Sequence, residues 1–190
     1  QLLVGEFTNS AVSRVFLEQV DGEYQGACFP FLSGFSAAVL RLQFAPDGSL
    51  FVGMSNRGWS ALGNRSYGVE RICFNQRVPF AIKEMRAKPD GFELTFTEPI
   101  QPDSITAASL EMSSFTYQYS SRYGGNEINT TSHKVSQFRL SKDGMAARFK
   151  VAGLRANHVF ELRTKGLKSD SGQSLEHPQA WYTLNRIPRQ

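Results

Sequence analysis

The strongest constraint on the fold of this chain is an internal repeat. Residues 2–5, LLVG, return 48 residues later as residues 50–53, LFVG. Residues 12–17, VSRVFL, are echoed 57 residues later by residues 69–74, VERICF, so the second copy holds nine more residues between its matching strands. Short alternating apolar segments that return about every 40 to 50 residues are typical of β-propeller blades.

The number of repeat copies predicts that the chain is part of a larger propeller protein. A propeller closes a ring of about four to eight blades. Residues 1–80 hold at most two copies of the repeat. We therefore predict that they are the last blades of a partial β-propeller, and that the remaining blades of a longer parent chain are their partners. Exposed blade edges would also allow a homo-oligomer.

The second part of the chain, residues 81–190, contains no copy of this repeat. Its sequence alternates between apolar and polar residues in about seven short segments, separated by turn sequences such as residues 89–91, PDG, and 142–144, KDG. This spacing is typical of an antiparallel sandwich of the immunoglobulin-like type. The predicted fold class is thus all-β, a partial β-propeller of about two antiparallel blades in residues 1–80 followed by an immunoglobulin-like β-sandwich in residues 81–190.

Three local predictions accompany this division. Residues 133–140 are predicted as one strand, residues 116–129 as a loop, and residues 103–110 as a turn or so of helix, capped by Asp103 or Ser104. We expect residues 81–190 to fold as a monomer when expressed alone, and residues 1–80 alone to aggregate or oligomerise.

Composition excludes some classes of function. The net charge is +4, and residues 1–80 hold six Arg, no Lys and six acidic residues, so the positive excess lies in residues 81–190, where it is dispersed. Nucleic-acid binding needs a clustered basic stripe, so no nucleic-acid partner is predicted. No apolar run approaches the roughly 18 residues of a transmembrane helix, so no membrane span is predicted.

The two cysteines, Cys28 and Cys73, each lie in a predicted strand. Two free buried thiols are favoured, and one disulfide in an oxidising compartment is the alternative. The sequence has no CxxC pair, no CxxCH haem-attachment motif and no zinc-type cluster, so no metal-binding residue is predicted.

Several segments resemble a known family of large secreted bacterial proteins. These are the glucose/sorbosone dehydrogenase-like β-propeller proteins of the planctomycete type, also described as membrane-bound dehydrogenases, which carry an immunoglobulin-like domain. The segments that carry the resemblance are residues 44–53 (FAPDGSLFVG), 57–59 (RGW), 78–80 (VPF), 85–97 (MRAKPDGFELTFT), 116–119 (TYQY), 123–124 (YG), 154–167, 171–172 and 182–185 (YTLN). After the YG pair, family members tend to carry SPE, whereas this chain has Gly125, Asn126 and Glu127.

This resemblance implies a location, an activity and cofactors for the parent protein. It implies a secreted, periplasmic or cell-surface protein, and oxidation of a sugar or polyol with a quinone and calcium bound elsewhere in the parent. No cofactor is predicted to bind these 190 residues themselves. Many family members end in a haem c domain, whose attachment motif this sequence lacks.

The best candidate for ligand contact is the glycine-rich loop at residues 56–68. An Arg side chain can bind a carboxylate or phosphate through two hydrogen bonds, and a Trp ring can stack on a sugar. The alternative is that Trp59 fills space between blades while Arg57 pairs with a surface acid. The candidate ligand-binding residues are Asn56, Arg57, Trp59, Arg65 and Tyr67.

A second candidate lies within residues 116–129, which are rich in Tyr, Ser, Gly and Asn. This composition suits an adaptable binding surface, and it equally suits a solvated hairpin loop. The candidate surface-binding residues are Tyr119, Tyr123 and Asn126. Residues 64–66, NRS, and 129–131, NTT, match the N-glycosylation sequon, although a bacterial origin would leave both without a role.

The sequence offers no catalytic constellation. The three histidines, His133, His158 and His177, lie outside the predicted blades, and none has a carboxylate at a useful spacing in its predicted loop. No catalytic residue is therefore predicted.

Three functions follow from these observations. The leading one is a non-catalytic structural and interaction region of a secreted sugar-dehydrogenase-like propeller protein. The first alternative is that the chain contributes loops to a quinone-dependent sugar or polyol dehydrogenase active site. The second is a module that binds carbohydrate or another cell-surface partner.

Overall fold

The computed structural model describes residues 1–121 and 124–189, and these form an all-β chain with antiparallel strand pairing throughout. The strands of the first part are β1 (Leu2–Glu6), β2 (Ala11–Val20), β3 (Glu23–Leu32), β4 (Val39–Phe44), β5 (Leu50–Ser55) and β6 (Tyr67–Ile72). Those of the second part are β7 (Ile82–Lys88), β8 (Gly91–Phe96), β9 (Leu110–Tyr117), β10 (Glu127–His133), β11 (Val135–Leu140), β12 (Ala146–Val151), β13 (His158–Thr164) and β14 (Gln179–Leu184).

The chain divides into two compact units. Unit 1 contains residues 1–15 and 29–78, and unit 2 contains residues 16–28 and 79–190. The hairpin tip of β2 and β3 therefore belongs to unit 2, although the strand halves that lead into it belong to unit 1. The assignment of residues 1–80 to propeller blades and of residues 81–190 to an immunoglobulin-like domain stays a prediction.

Unit 1 has a small apolar core between two antiparallel layers. In one layer β1 pairs with β2 over residues 11–15, and the other layer is a three-stranded sheet in the order β4-β5-β6. Alternate side chains of β5 point inwards, because successive residues of a strand face opposite sides. The core is formed by Val12, Phe35, Ala37, Val39, Leu50, Val52 and Met54.

The β4–β5 turn is closed by a carboxylate. The Asp47 side chain accepts hydrogen bonds from the backbone N–H of Ser49 at 3.0 Å and from its hydroxyl at 2.7 Å, and it forms an ion pair with Arg71. These donors, Ser49 first, lower the pKa of Asp47 to about 2. Gly48 adopts a φ of 81° in this turn, which favours glycine.

Unit 2 consists of two antiparallel sheets packed face to face. One has the order β2-β3-β14-β13-β9-β10, with β2 and β3 contributing their hairpin tip, and the other has the order β11-β12-β8-β7. Phe92 of β8 joins them, with ring centroids 5.4 Å from Phe160 of β13 and 5.1 Å from Tyr182 of β14. All three rings are fully buried, as expected for the centre of a packed core.

A buried polar network attaches the hairpin tip to the rest of unit 2. The hydroxyl of Tyr182 donates to Glu18 and accepts a hydrogen bond from Gln25 at 2.9 Å. Glu18 also accepts the backbone N–H of Ala87 at 2.8 Å, and Arg86 lies over the ring of Phe16 at 4.7 Å. Burial, followed by the neighbouring Glu18 carboxylate, raises the pKa of Tyr182, so this hydroxyl stays protonated and acts as a donor.

Two local predictions for unit 2 need correction. The segment 116–129 is not a loop throughout, since β10 begins at Glu127 and pairs with β9. The single strand predicted over residues 133–140 is two strands, with β10 ending at His133 and β11 beginning at Val135.

Two further local predictions are partly right. The helical turn lies where it was expected, as two 3-10 turns, Pro102–Ser104 and Ala107–Ser109. The predicted capping residue, Asp103 or Ser104, was wrong, because the capping box is formed by Thr106 and Ser109 at the second turn. Cys28 and Cys73 are free thiols as favoured, but Cys28 is only half-buried and Cys73 is exposed.

Candidate functional site

The β5–β6 loop, residues 56–66, is organised by Asn56. The Asn56 amide oxygen accepts the backbone N–H of Ala38 at 2.7 Å, and its amide nitrogen donates to the Gly63 carbonyl at 2.7 Å. The backbone N–H of Asn56 donates to the Ser66 carbonyl at 2.9 Å, which closes the base of the loop. Because both ends of this amide are engaged, Asn56 acts as a loop organiser, a role that the sequence did not reveal.

Backbone contacts pin the same loop to the body of unit 1. The backbone N–H of Leu62 donates to Thr8, that of Gly63 to the Ser10 hydroxyl at 2.9 Å, and that of Arg65 to the Ser36 carbonyl at 2.9 Å. A Cβ atom on Gly63 would lie 2.5 Å from the Ser36 carbonyl carbon, so only glycine fits there. The loop is thus held at several points although it carries no regular secondary structure.

The other predicted residues of this loop are exposed. Trp59 is 58% exposed and Tyr67, which begins β6, is 78% exposed. Arg57 and Arg65 are exposed as well. Their assignment as ligand-binding residues stays a prediction.

The adjoining sheet presents an unusually apolar outer face. Phe51, Gly53 and Ser55 of β5 face away from the core, and their partners on β6 are Arg71, Val69 and Tyr67 respectively. We call the patch formed by Phe51, Val69 and Tyr67 the β5–β6 outer face. Its side chains are 39%, 72% and 78% exposed. Arg71 lies over the Phe51 ring at 5.6 Å from its centroid, at the border of this patch.

Strand β6 also has a free edge within the described part of the chain. It is the last strand of the order β4-β5-β6, so one of its two edges pairs with no described strand. An exposed apolar face next to an unpaired strand edge is the combination that favours addition of a further strand or sheet.

The second predicted surface lies in unit 2, where β9 ends. Tyr119 is fully exposed, and it lines a shallow groove of about 420 Å³ together with Tyr117, Gly124 and Gly125. Asn126 is exposed, while Tyr123 lies outside the described residues. The role of these residues in binding stays a prediction.

A serine–histidine pair in unit 2 had no signal in the sequence. His133 Nε2 lies 2.7 Å from the Ser114 hydroxyl, and His133 Nδ1 lies 2.8 Å from the Ala152 carbonyl. A ring that donates to a carbonyl through Nδ1 has a lone pair at Nε2 to accept the serine proton. Ser114, however, is 1% exposed, and the His133 ring packs on the buried Phe160 at 5.2 Å, so the serine hydroxyl is closed off at the edge of the core.

A broader groove of about 750 Å³ lies beside this pair. Its polar lining comes mainly from Glu111, Glu161, Arg163, Thr130, Ser132 and Lys134. Arg163 is paired with Glu161 at 2.8 Å. With carboxylates, cations and hydroxyls interspersed, the groove favours no single class of ligand.

The described residues contain neither a metal-binding cluster nor a membrane-spanning helix. Among residues 1–121 and 124–189, no group of three or more His, Cys, Asp or Glu side chains is placed to hold a metal ion. In the same residues we find no helix with the length and apolar character needed to cross a bilayer.

Comparison with known proteins gives one structural similarity. No family model matches the sequence, and no curated protein matches it. Among solved structures, the fold is similar to that of the surface layer protein SbsC, domains 1–6, with 16% sequence identity and a TM-score of 0.44. The similarity covers 59% of this chain and 14% of the SbsC chain.

Proposed function

We propose that this chain is a structural and interaction region of a secreted or cell-surface, sugar-dehydrogenase-like propeller protein. In this proposal unit 1 supplies blades that pack against the remaining blades of the parent chain, and unit 2 is an immunoglobulin-like module. The catalytic base, the quinone and the calcium ion belong to the rest of the parent.

The β5–β6 outer face is the observation that carries this proposal. Monomeric soluble proteins rarely leave large contiguous apolar patches uncovered. Val69 and Tyr67 stand side by side with Phe51 on a sheet whose last strand has a free edge. A neighbouring antiparallel blade would cover the patch and shield the edge together. The internal repeat of residues 2–5 and 50–53 supports the same assignment.

A binding experiment with one charge substitution tests this function. The 190-residue chain is mixed with the separately expressed remainder of the parent protein, and association is measured by analytical ultracentrifugation. The wild-type chain is expected to associate and Val69→Lys to lose association, because a charge would be buried in the contact. Tyr24→Lys, a substitution at an aromatic side chain of unit 2 that is 67% exposed, is the matched control and should bind as wild type does. No association of the wild type, or equal association of Val69→Lys, would refute the proposal.

The pinned β5–β6 loop favours a second candidate, contact with a sugar substrate of the parent enzyme. It presents Arg57 and Arg65 as exposed cations and Trp59 as an aromatic surface, on a loop whose backbone is fixed by several hydrogen bonds. Pre-organised loops of this kind lower the entropic cost of binding. In the complete parent, assayed on sugars and polyols with quinone and calcium, Trp59→Ala should raise KM. Tyr24→Ala, at an exposed aromatic of unit 2, should not, and equal KM values for both variants would exclude this candidate.

A further inference from the structure

Strand β10 is interrupted at its centre by a bulge that lifts one asparagine out of the ladder. Ile128 pairs with Thr116 and Thr131 pairs with Ser114, so the two residues Asn129 and Thr130 face the single residue between those partners on β9. A bulge leaves its extra residue unpaired and turns it away from the sheet. Asn129 has a φ of 57°, the left-handed conformation that asparagine tolerates better than most residues.

This asparagine begins one of the two sequons of the chain. The triplet is Asn129, Thr130 and Thr131, and the Thr131 hydroxyl donates to the Asn129 carbonyl at 3.2 Å, which folds the triplet on itself. Asn129 and Thr130 are exposed. Strand β10 is moreover the last strand of its sheet among the described residues, so one side of the triplet faces outwards.

We propose that Asn129 is the acceptor of an N-linked glycan when the chain is secreted. The donor class is a lipid diphosphate-linked oligosaccharide, handled by an oligosaccharyl transferase. The side-chain amide nitrogen of Asn129 forms a bond to C1 of the first sugar, and the bond between C1 and the phosphate oxygen breaks. The lipid diphosphate leaves with the electron pair, and the amide nitrogen loses one proton to solvent.

The other sequon, residues 64–66, provides an internal control because its backbone is tied down. The Arg65 N–H donates to the Ser36 carbonyl and the Ser66 carbonyl accepts the Asn56 N–H, each at 2.9 Å. The transferase would have to break both bonds to draw this triplet into its site, whereas Asn129 and Thr130 lie in the bulge, outside the ladder with β9. We therefore expect no transfer to Asn64.

A glycan on Asn129 would also protect strand β10. The strand is nearly uncharged, rich in Ser and Thr, and open at one edge, which makes it a template for pairing with another chain. A bulky hydrophilic group beside the bulge would shield that edge. Thr130, which lines the 750 Å³ groove, would lie next to the attached sugar.

The test is expression of the 190-residue chain, directed to the periplasm of a bacterium that supplies an oligosaccharyl transferase and its lipid-linked donor. Peptide mass spectrometry should find the glycan on Asn129 and not on Asn64. Asn129→Gln and Thr131→Ala should abolish it, and Asn64→Gln should leave it unchanged. Thermal unfolding of each variant checks that the fold is intact.

Three outcomes would overturn the proposal. They are an unmodified Asn129 in the wild-type chain, occupancy of Asn64 equal to that of Asn129, and full occupancy in folded Thr131→Ala. None of these results bears on blade docking, which is measured through Val69 with unglycosylated protein.

Discussion

The hydroxyl of Tyr182 donates a hydrogen bond of 2.5 Å to the carboxylate of Glu18, a residue 164 positions earlier in the chain. This contact joins β14 to the hairpin tip of β2 and β3, and it is buried at the tyrosine. When one partner of a buried hydrogen bond is removed, the other partner is still shielded from water but no longer has that bond to offset the cost of its desolvation.

Tyr182→Phe is therefore expected to lower the free energy of unfolding by about 1 to 3 kcal/mol, because Glu18 and Gln25 each lose one hydrogen bond. Urea unfolding followed by fluorescence measures the change. Tyr24→Phe is the control, since its side chain is 67% exposed and should alter stability by less than about 0.5 kcal/mol. Equal stability of the two variants would show that the network contributes nothing.

The membership of residues 16–28 in unit 2 changes what we expect of fragments. Residues 79–190 alone lose β3 as the neighbour of β14, and the buried Tyr182 hydroxyl loses both of its partners. We now expect this fragment to be less stable than unit 2 in the full chain and prone to associate through the exposed edge of β14.

A fusion of residues 16–28 to residues 79–190 through a flexible linker is the matched comparison. It should unfold at a higher urea concentration than residues 79–190 alone and should sediment as a monomer. The same midpoint for both proteins would mean that the hairpin tip is dispensable to the fold of unit 2.

Gly63 gives a prediction for the β5–β6 loop. Gly63→Ala places a methyl group against the backbone of Ser36 and Ala37, and the resulting overpacking should cost about 1 to 3 kcal/mol. Gly125→Ala is the control, because the nearest atom to its added Cβ, the Gln118 carbonyl oxygen, is 3.9 Å away. Thermal unfolding of both variants measures the difference in stability. A Gly63→Ala protein as stable as the control would show that the loop is not held closely against Ser36 and Ala37.

Asp47 gives a prediction for acid stability. Its folded-state pKa, about 2, lies below the ordinary value of 3.8, so its ionised form stabilises the folded state above about pH 4, and this contribution is lost as the pH falls towards 2. Asp47→Asn should therefore be less stable than wild type at neutral pH, with a difference that shrinks between pH 4 and pH 2. Asp103→Asn, at an exposed acid, serves as the control. A stability difference that is independent of pH would show that ionisation of Asp47 is not its cause.

Local patterns predicted most of the strands. In β8, for example, Phe92, Leu94 and Phe96 occupy every second position, and all three are buried. The pattern was sufficient because a strand with one buried face must alternate.

The sequence missed β10 because nothing in residues 127–133, EINTTSH, marks a core face. Its strand conformation comes from pairing with β9, and most of its residues are exposed. The packing of the hairpin tip in unit 2 could not be predicted either. Glu18 and Gln25 are polar and resemble surface residues in the sequence, and only the structure shows that both bond to Tyr182. Both features depend on partners that are distant in the sequence.

One residue of the candidate loop, Asn56, has a structural role that the sequence did not show. A glycine-rich segment between two strands indicated a functional loop, and Arg57, Trp59 and Arg65 are indeed exposed there. Asn56 was grouped with them by residue type, whereas its amide is engaged by Ala38 and Gly63. From a single sequence, a side chain that holds a loop in place cannot be distinguished from one that contacts a ligand.

The place of the hairpin tip also affects the order of folding during synthesis. Residues 16–28 leave the ribosome long before Tyr182, and at about 5 to 20 residues per second the delay amounts to many seconds. Throughout that interval β3 lacks the strand beside which it finally lies. Until Tyr182 is synthesised, the nascent chain therefore carries a hairpin whose β3 edge is not paired with β14, and a chaperone or an early partner is most valuable at this stage.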